Sequence, residues 1–234
     1  MRLKFASYNI HKAVGLDRRR DPDRILAVLR EIDADVVALQ EADRRFGERA
    51  SVLPRAAIDE HTPYRPVPLS GRPDSIGWHG NALLLRRSLR LAGASLVPLP
   101  TLEPRGAIRA DFVAGNHRLR VVGMHLDLSG LRRRHQVRSV IDHVAGCDGA
   151  APAVLMGDTN ELTKRGGCFR EFGDGWRLLA PGKSFPARRP MAQFDRIVVS
   201  SEWTVIECHV HHSTLSAVAS DHLPVCATLE VPNI

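Results

Sequence analysis

Lysine is nearly missing from this chain: Lys4, Lys12, Lys164 and Lys183 are the only ones among 33 basic residues, so arginine carries almost all of the positive charge. Cysteine is equally scarce. Cys147, Cys168, Cys208 and Cys226 are scattered without a paired short spacing, which argues against a zinc knuckle or a redox motif and suits a reducing compartment. No stretch approaches the roughly 18 uninterrupted apolar residues of a membrane helix, so stable membrane insertion is not expected. The opening residues reach polar Ser7 and Asn9 before any long apolar run. That is unlike a secretory signal, and the expectation is a cytoplasmic protein beginning near Met1. Repeats, low-complexity tracts and Pro/Gly/Ser linkers are also lacking, so one domain over residues 1–234 is expected.

What is present suits a globular fold with a sizeable core. Hydrophobic residues make up 44% of the chain and charged residues 25%, a balance that excludes disordered, collagen-like and fibrous classes. The net charge is +7 and the pI about 9.8, which points to a polyanionic or phosphorylated partner without identifying it. Arginine favours planar bidentate contacts to phosphate, although codon usage produces the same enrichment.

Short Val/Ile/Leu-rich runs recur and read as strands: Leu3 to Ile10, Asp35 to Gln40, Asn81 to Leu85, Ile108 to Val113, Leu119 to Met124, Ala153 to Met156, Ile197 to Val199, Val205 to Val210 and Leu223 to Val231. Asp21-Pro22 is a helix start, and Ile25, Leu26, Val28, Leu29 and Ile32 share one face of the helix that follows. A second helix is expected from about Leu131 to Val144, with Val137, Val140, Ile141 and Val144 inward. Gly115-Asn116 reads as a hairpin turn.

The polar residues that punctuate these runs choose between architectures. Asn9, Glu41, His125 and Asp158 follow apolar runs, whereas Asp195 and Asp221-His222 precede them. A purely parallel sheet gathers its binding groups at carboxyl ends alone. Bringing groups from both strand ends together requires neighbours of opposite direction, hence mixed, mainly antiparallel sheets with helices outside.

Taken singly, each of these residues has an ordinary alternative as a strand end or a turn. Asn9 is a site amide, with His11 on the same side if the strand continues. Glu41 closes a continuous apolar run, and a buried carboxylate there would need a cation. His125 fits either a site or a backbone-satisfied position. Asp158 and Asn160, two residues apart after a buried strand, can converge on one water or metal, and Asp and Asn are equally common in turns.

Together, the order Asn9, ALQE, GNALLLR, a strand ending in HLD, GDTN, FDRIVVS and SDHLPV resembles the endonuclease/exonuclease/phosphatase superfamily from Asn9 to about Leu229. The resemblance implies a four-layered α/β sandwich of two packed sheets with the site at one rim. It implies that Glu41 is the principal ligand of a magnesium ion, with manganese able to substitute, and that Asn9 and Asp221 complete the metal environment. Asp158 would orient and deprotonate the attacking water with help from Asn160. Asp195 would hold His222 in place, and His125 would contact phosphate or protonate the leaving oxygen. Asn81, matching a family strand that borders the cleft, is a candidate substrate contact or a simple strand start; Arg105 is a candidate phosphate or substrate contact or a solvated loop residue; Arg188 and Arg189 read as a solvated basic loop.

The implied activity is metal-dependent phosphoester hydrolysis, with a nucleic-acid phosphodiester the first expectation. A phospholipid of the sphingomyelinase type, a small phosphoester, and a catalytically silent binding module are the alternatives. His125 stands where apurinic endonucleases typically have Tyr. Glu161-Leu162 after Asn160 departs from inositol polyphosphate 5-phosphatases.

Overall fold

The computed structural model describes residues 1–44, 50–69, 74–101 and 105–232. Twelve strands and four α-helices run in the order β1 (Arg2–Asn9), α1 (Pro22–Ile32), β2 (Val36–Gln40), α2 (Arg55–His61), β3 (Tyr64–Pro66), β4 (Ala82–Arg86), β5 (Arg90–Val97), β6 (Gly106–Ala114), β7 (His117–His125), α3 (Gly130–Ala145), β8 (Ala153–Asp158), β9 (Trp176–Leu179), β10 (Asp195–Ser200), β11 (Thr204–Val210), α4 (Ser216–Ala219) and β12 (Val225–Glu230). They form two six-stranded sheets, ordered β11-β12-β1-β2-β4-β3 and β5-β6-β7-β8-β10-β9.

The two sheets share one plan. Each has a single parallel pair at its centre, β1 with β2 and β7 with β8, and every other pairing is antiparallel. A parallel pair needs a crossover, usually a helix; α1 and α3 supply it. The carboxyl ends of β1, β2, β7 and β8 therefore point the same way as the amino ends of their antiparallel neighbours β12, β4, β6 and β10. Polar residues that follow some strands and precede others thus meet at one rim, as the sequence pattern requires.

Alternating side chains give each sheet two apolar faces. Phe5, Leu83, Ile108, Phe112, Met156, Ile197 and Trp203 fill the layer between the sheets, where Phe5 and Trp203 meet edge to face at 5.6 Å. Tyr8, Ile10, Val37 and Leu39 cover the outer face of the first sheet under Ile25, Val28, Leu29 and Ile32 of α1. Val122, Met124, Leu155 and Val198 do the same for the second under Val137 and Val140 of α3, with Ile141 and Val144 packed at its margin. The result is the expected four-layered sandwich.

Local chemistry sets the boundaries of α1. Asp21 accepts a hydrogen bond from the Arg24 backbone N–H at 3.0 Å, an N-cap typically worth about 1 kcal/mol, and Pro22 occupies the first turn where its missing N–H costs nothing. Asp33 ends the helix in the left-handed region. The β6–β7 hairpin turns at Gly115, with φ 59°.

Gly157, one residue before Asp158, sits against the carbonyl of Met124, which an added Cβ would approach to 1.8 Å. Backbone cannot yield as a flexible side chain can. Gly157→Ala is therefore expected to cost about 1–3 kcal/mol through overpacking and to displace the end of β8, so that urea unfolding and turnover both register the change.

Candidate active site

The rim gathers five expected residues from each sheet. Asn9 ends β1, Glu41 follows β2, Asn81 precedes β4, and Asp221 and His222 lead into β12. Facing them, Arg105 precedes β6, His125 ends β7, Asp158 ends β8 with Asn160 just beyond, and Asp195 starts β10. In the second sheet the backbone registers place Gly106 beside His125, His125 beside Asp158, and Asp158 beside Asp195.

Asp158 is the centre of the network and is buried. Its Oδ1 accepts the Asn160 backbone N–H at 3.0 Å. Its Oδ2 accepts Asn9 Nδ2 at 3.0 Å across the sheet interface, with His125 Nε2 at 3.4 Å and His222 Nε2 at 3.7 Å. Burial opposes ionisation, but His125, His222 and the Asn160 N–H outweigh it and hold Asp158 well below the usual carboxylate range. Asp158 is thus a carboxylate at neutral pH.

His222 is clamped from its other nitrogen. Nδ1 lies 2.8 Å from Asp195 Oδ2, which also accepts the Ser184 hydroxyl. Burial favours the neutral ring, yet the charge and hydrogen bond of Asp195, reinforced by Asp158 and Asp221, push its pKa up to about 10. The Phe185 ring packs at a tilt against the imidazole, centroids 4.7 Å apart. An aligned imidazolium therefore faces the Asp158 carboxylate. Asp195 Oδ1 is buried without a hydrogen-bond partner.

Asp158, Asp195 and His222 offer ligand atoms within 4.8 Å of one another. The imidazolium lies between the two carboxylates and already pairs with Asp195, so this group suits proton handling better than metal binding. The other corner has the donors a hard dication prefers. Glu41, Asn9 and Asp221 supply oxygens only. The Ser220 hydroxyl donates to the Asn9 carbonyl at 2.7 Å and lies 3.4 Å from Asp221 Oδ1, which brings Asp221 beside the end of β1. Glu41 has φ 56° and a side chain 23% exposed, accessible to an incoming ion.

One expectation needs correction. His11 does not share the strand face of Asn9, because β1 ends at Asn9 and His11 begins a short 3-10 turn at φ 44°. It still approaches Asp221 Oδ1, at 3.9 Å. Asn160 sits just beyond Asp158, and its Nδ2 donates to the Leu126 carbonyl at 2.9 Å. With its N–H on Asp158, Asn160 pins the ends of β7 and β8 together.

Arg105 lies against the His125 ring, with Nη1 3.0 Å from Nδ1. Asn81 is buried beside Gly106, and its amide oxygen has no hydrogen-bond partner. Arg188 and Arg189 are exposed, as a solvated loop would be. Two participants gave no motif: Ser184, and Lys12, whose ammonium bonds Glu41 Oε2. The only sequence signal for Lys12 was its being a lysine in an arginine-dominated chain.

A family profile described as Endonuclease/Exonuclease/phosphatase family matches residues 6–222. No curated protein matches the sequence. Among solved structures, the chain is similar to an endonuclease/exonuclease/phosphatase from Bacteroides vulgatus at 18% identity and TM-score 0.79, covering 99% of both chains. It is similar to D. rerio TDP2 complexed with a single-strand DNA product at 17% identity and TM-score 0.76, covering 98% of this chain and 99% of that one. A Bacteroides thetaiotaomicron mannosyl-6-phosphatase aligns at 20% identity and TM-score 0.74, over 97% of this chain and 99% of that one. At these identities the structural likeness speaks for the fold alone.

Proposed function

Because the chain belongs to the endonuclease/exonuclease/phosphatase family, we propose that it is a divalent-metal-dependent phosphodiesterase that cleaves nucleic acid by in-line attack of water. The observation that carries this reading is the convergence on Asp158, from two separate sheets, of Asn9, His125 and the Asp195-aligned His222. Glu41, Asn9 and Asp221 would hold the ion. A bound magnesium or manganese ion supplies an acidified water and neutralises charge on the phosphoryl oxygens.

The chain's own residues account for the rest. Asp158, ionised and fixed by two hydrogen bonds, aligns the attacking water and accepts its proton as the P–O bond breaks. Its low proton affinity makes alignment the larger contribution. His222, held protonated by Asp195, donates to a nonbridging phosphoryl oxygen as charge develops there. His125, with Arg105 at its ring, faces the leaving oxygen. The net charge of +7 favours a polyanionic substrate, which is why nucleic acid is placed first.

One observation favours a second reading, a phospholipid headgroup. Leu128, Leu131, Leu162 and Met191 are all exposed large apolar side chains, and they lie in the segments next to His125, Asn160 and Asp195. Among the described residues, however, no helix is long and apolar enough to cross a membrane.

The test is hydrolysis of bis(p-nitrophenyl) phosphate with magnesium, followed by a panel of DNA, RNA, sphingomyelin and phosphomonoesters. Magnesium-dependent turnover that EDTA abolishes and fresh magnesium restores is expected, with a nucleic acid the preferred substrate. Inactivity with every metal and substrate would leave a binding module as the better description.

A further inference from the structure

Lys12 is a cation at this rim that the proposed chemistry does not use. Its ammonium bonds Glu41 Oε2, and its backbone N–H donates to the Glu41 carbonyl at 3.2 Å. Both ends of the residue are tied to one partner. His11, Lys12 and Ala13 have successive φ values of 44°, 57° and 58°, a run in the left-handed region that non-glycine residues adopt only when their surroundings over-determine it. Here the His11 N–H bonds Asn9 Oδ1 at 3.1 Å, the Ala13 N–H bonds the Ile10 carbonyl at 2.7 Å, and Arg20 Nε holds the Lys12 carbonyl at 3.2 Å. The strained turn delivers one ammonium to one carboxylate.

The residue type matters as much as the position. A guanidinium would grip a carboxylate with a planar fork, whereas an ammonium is a compact, strongly hydrated charge on a flexible stem. The Lys12 and Glu41 side chains keep 27% and 23% of their exposure, so the ammonium has solvent to withdraw into. In a chain with only four lysines, the one at this carboxylate is the type that can let go.

Resting on the reading of Glu41 as a metal ligand, we propose that Lys12 is a built-in counter-ion that competes with the divalent cation for the Glu41 carboxylate. Lys12 then compensates the charge of Glu41, and metal loading requires it to move aside. Affinity falls by the fraction of molecules in which Glu41 is already released, as for any ligand that binds a minor state.

Isothermal titration of the metal-free protein with manganese chloride tests this. Lys12→Met is expected to bind manganese up to about fivefold tighter than wild type, the upper range for a partly exposed ion pair that no longer competes. Lys12→Arg should bind no tighter than wild type. Lys12→Met should also melt lower than wild type without metal and gain more from manganese. Lys12→Gln replaces it if methionine disturbs the turn. Equal or weaker manganese affinity in Lys12→Met, with metal-dependent hydrolysis intact in wild type, overturns the role of Lys12 and leaves the hydrolase reading standing. Failure of all these proteins to bind manganese overturns both.

Discussion

Asp158→Asn is expected to lower kcat by about 10²–10⁴-fold, the range for losing a positioned acid–base group, with a much smaller change in KM. The substitution keeps the size and most hydrogen bonds of the side chain but removes the negative charge that orients water and faces His125 and His222. An interaction made chiefly in the transition state lowers kcat and kcat/KM together, whereas uniform substrate binding raises KM alone. His222→Ala belongs to the same class and should also lose orders of magnitude in rate; because the imidazole is buried beside Phe185 and pairs with Asp195, some loss of stability accompanies it. Steady-state kinetics on bis(p-nitrophenyl) phosphate, with circular dichroism as the folding control, checks both variants. An Asp158→Asn enzyme retaining more than about a tenth of wild-type kcat would remove Asp158 from the centre of the mechanism.

The largest stability effect is expected far from the rim. Asp111 and Arg120 pair across β6 and β7 beneath the end of α3, each side chain only 3% exposed. Arg120 donates to both carboxylate oxygens, at 2.8 and 3.2 Å, and its Nη1 reaches the Val144 carbonyl at 3.3 Å. Asp111→Ala leaves a buried guanidinium without its partner, a change that costs about 3–5 kcal/mol and should lower Tm by about 10 °C in a chain of this size. Burial resists ionisation of Asp111, but Arg120, Arg109 and Arg118 outweigh it and depress its pKa below the ordinary 3.8. A depressed carboxylate stabilises the fold fully above its unfolded value and loses that contribution as pH falls toward the folded one. Wild type should therefore lose stability on acidification below about pH 4, and Asp111→Asn, already weaker at pH 7, should lose less over the same interval. Differential scanning calorimetry from pH 7 to pH 3 reads both slopes.

The strands legible in the sequence are mostly those packed on both faces. All nine apolar runs are strands, and all but the edge strand β11 lie inside a sheet, where cover on both faces calls for an unbroken Val/Ile/Leu composition. The missed strands, β3, β5 and β9, are sheet edges. β5 reads RLAGASLV and is half-buried along most of its length, while β3 and β9 have three and four residues. Edge strands are allowed to be short, mixed and polar, which erases the signal used to find them. The same contrast governs the rim. Asp158 and Glu41 were conspicuous as carboxylates ending apolar runs, whereas Ser184 and Lys12 lie in loops where polar residues are ordinary. His11 leaves the face of Asn9 because β1 ends at Asn9, two residues before it, and alternation stops there.

The division of labour between the two leaves has a mechanical consequence. Glu41, Asn9 and Asp221 ride on one leaf, and Asp158, Asp195 and His125 on the other. Behind the rim the shared apolar layer joins them, while at the rim itself the polar side-chain links are chiefly Asn9 to Asp158 and His222 to Asp195. Sliding one plate against its mate by about 1 Å would misalign nucleophile and leaving group enough to cost on the order of a hundredfold in rate, with every hydrogen-bonded ladder intact. Heating or mild denaturant should therefore silence this molecule while its circular dichroism still looks native.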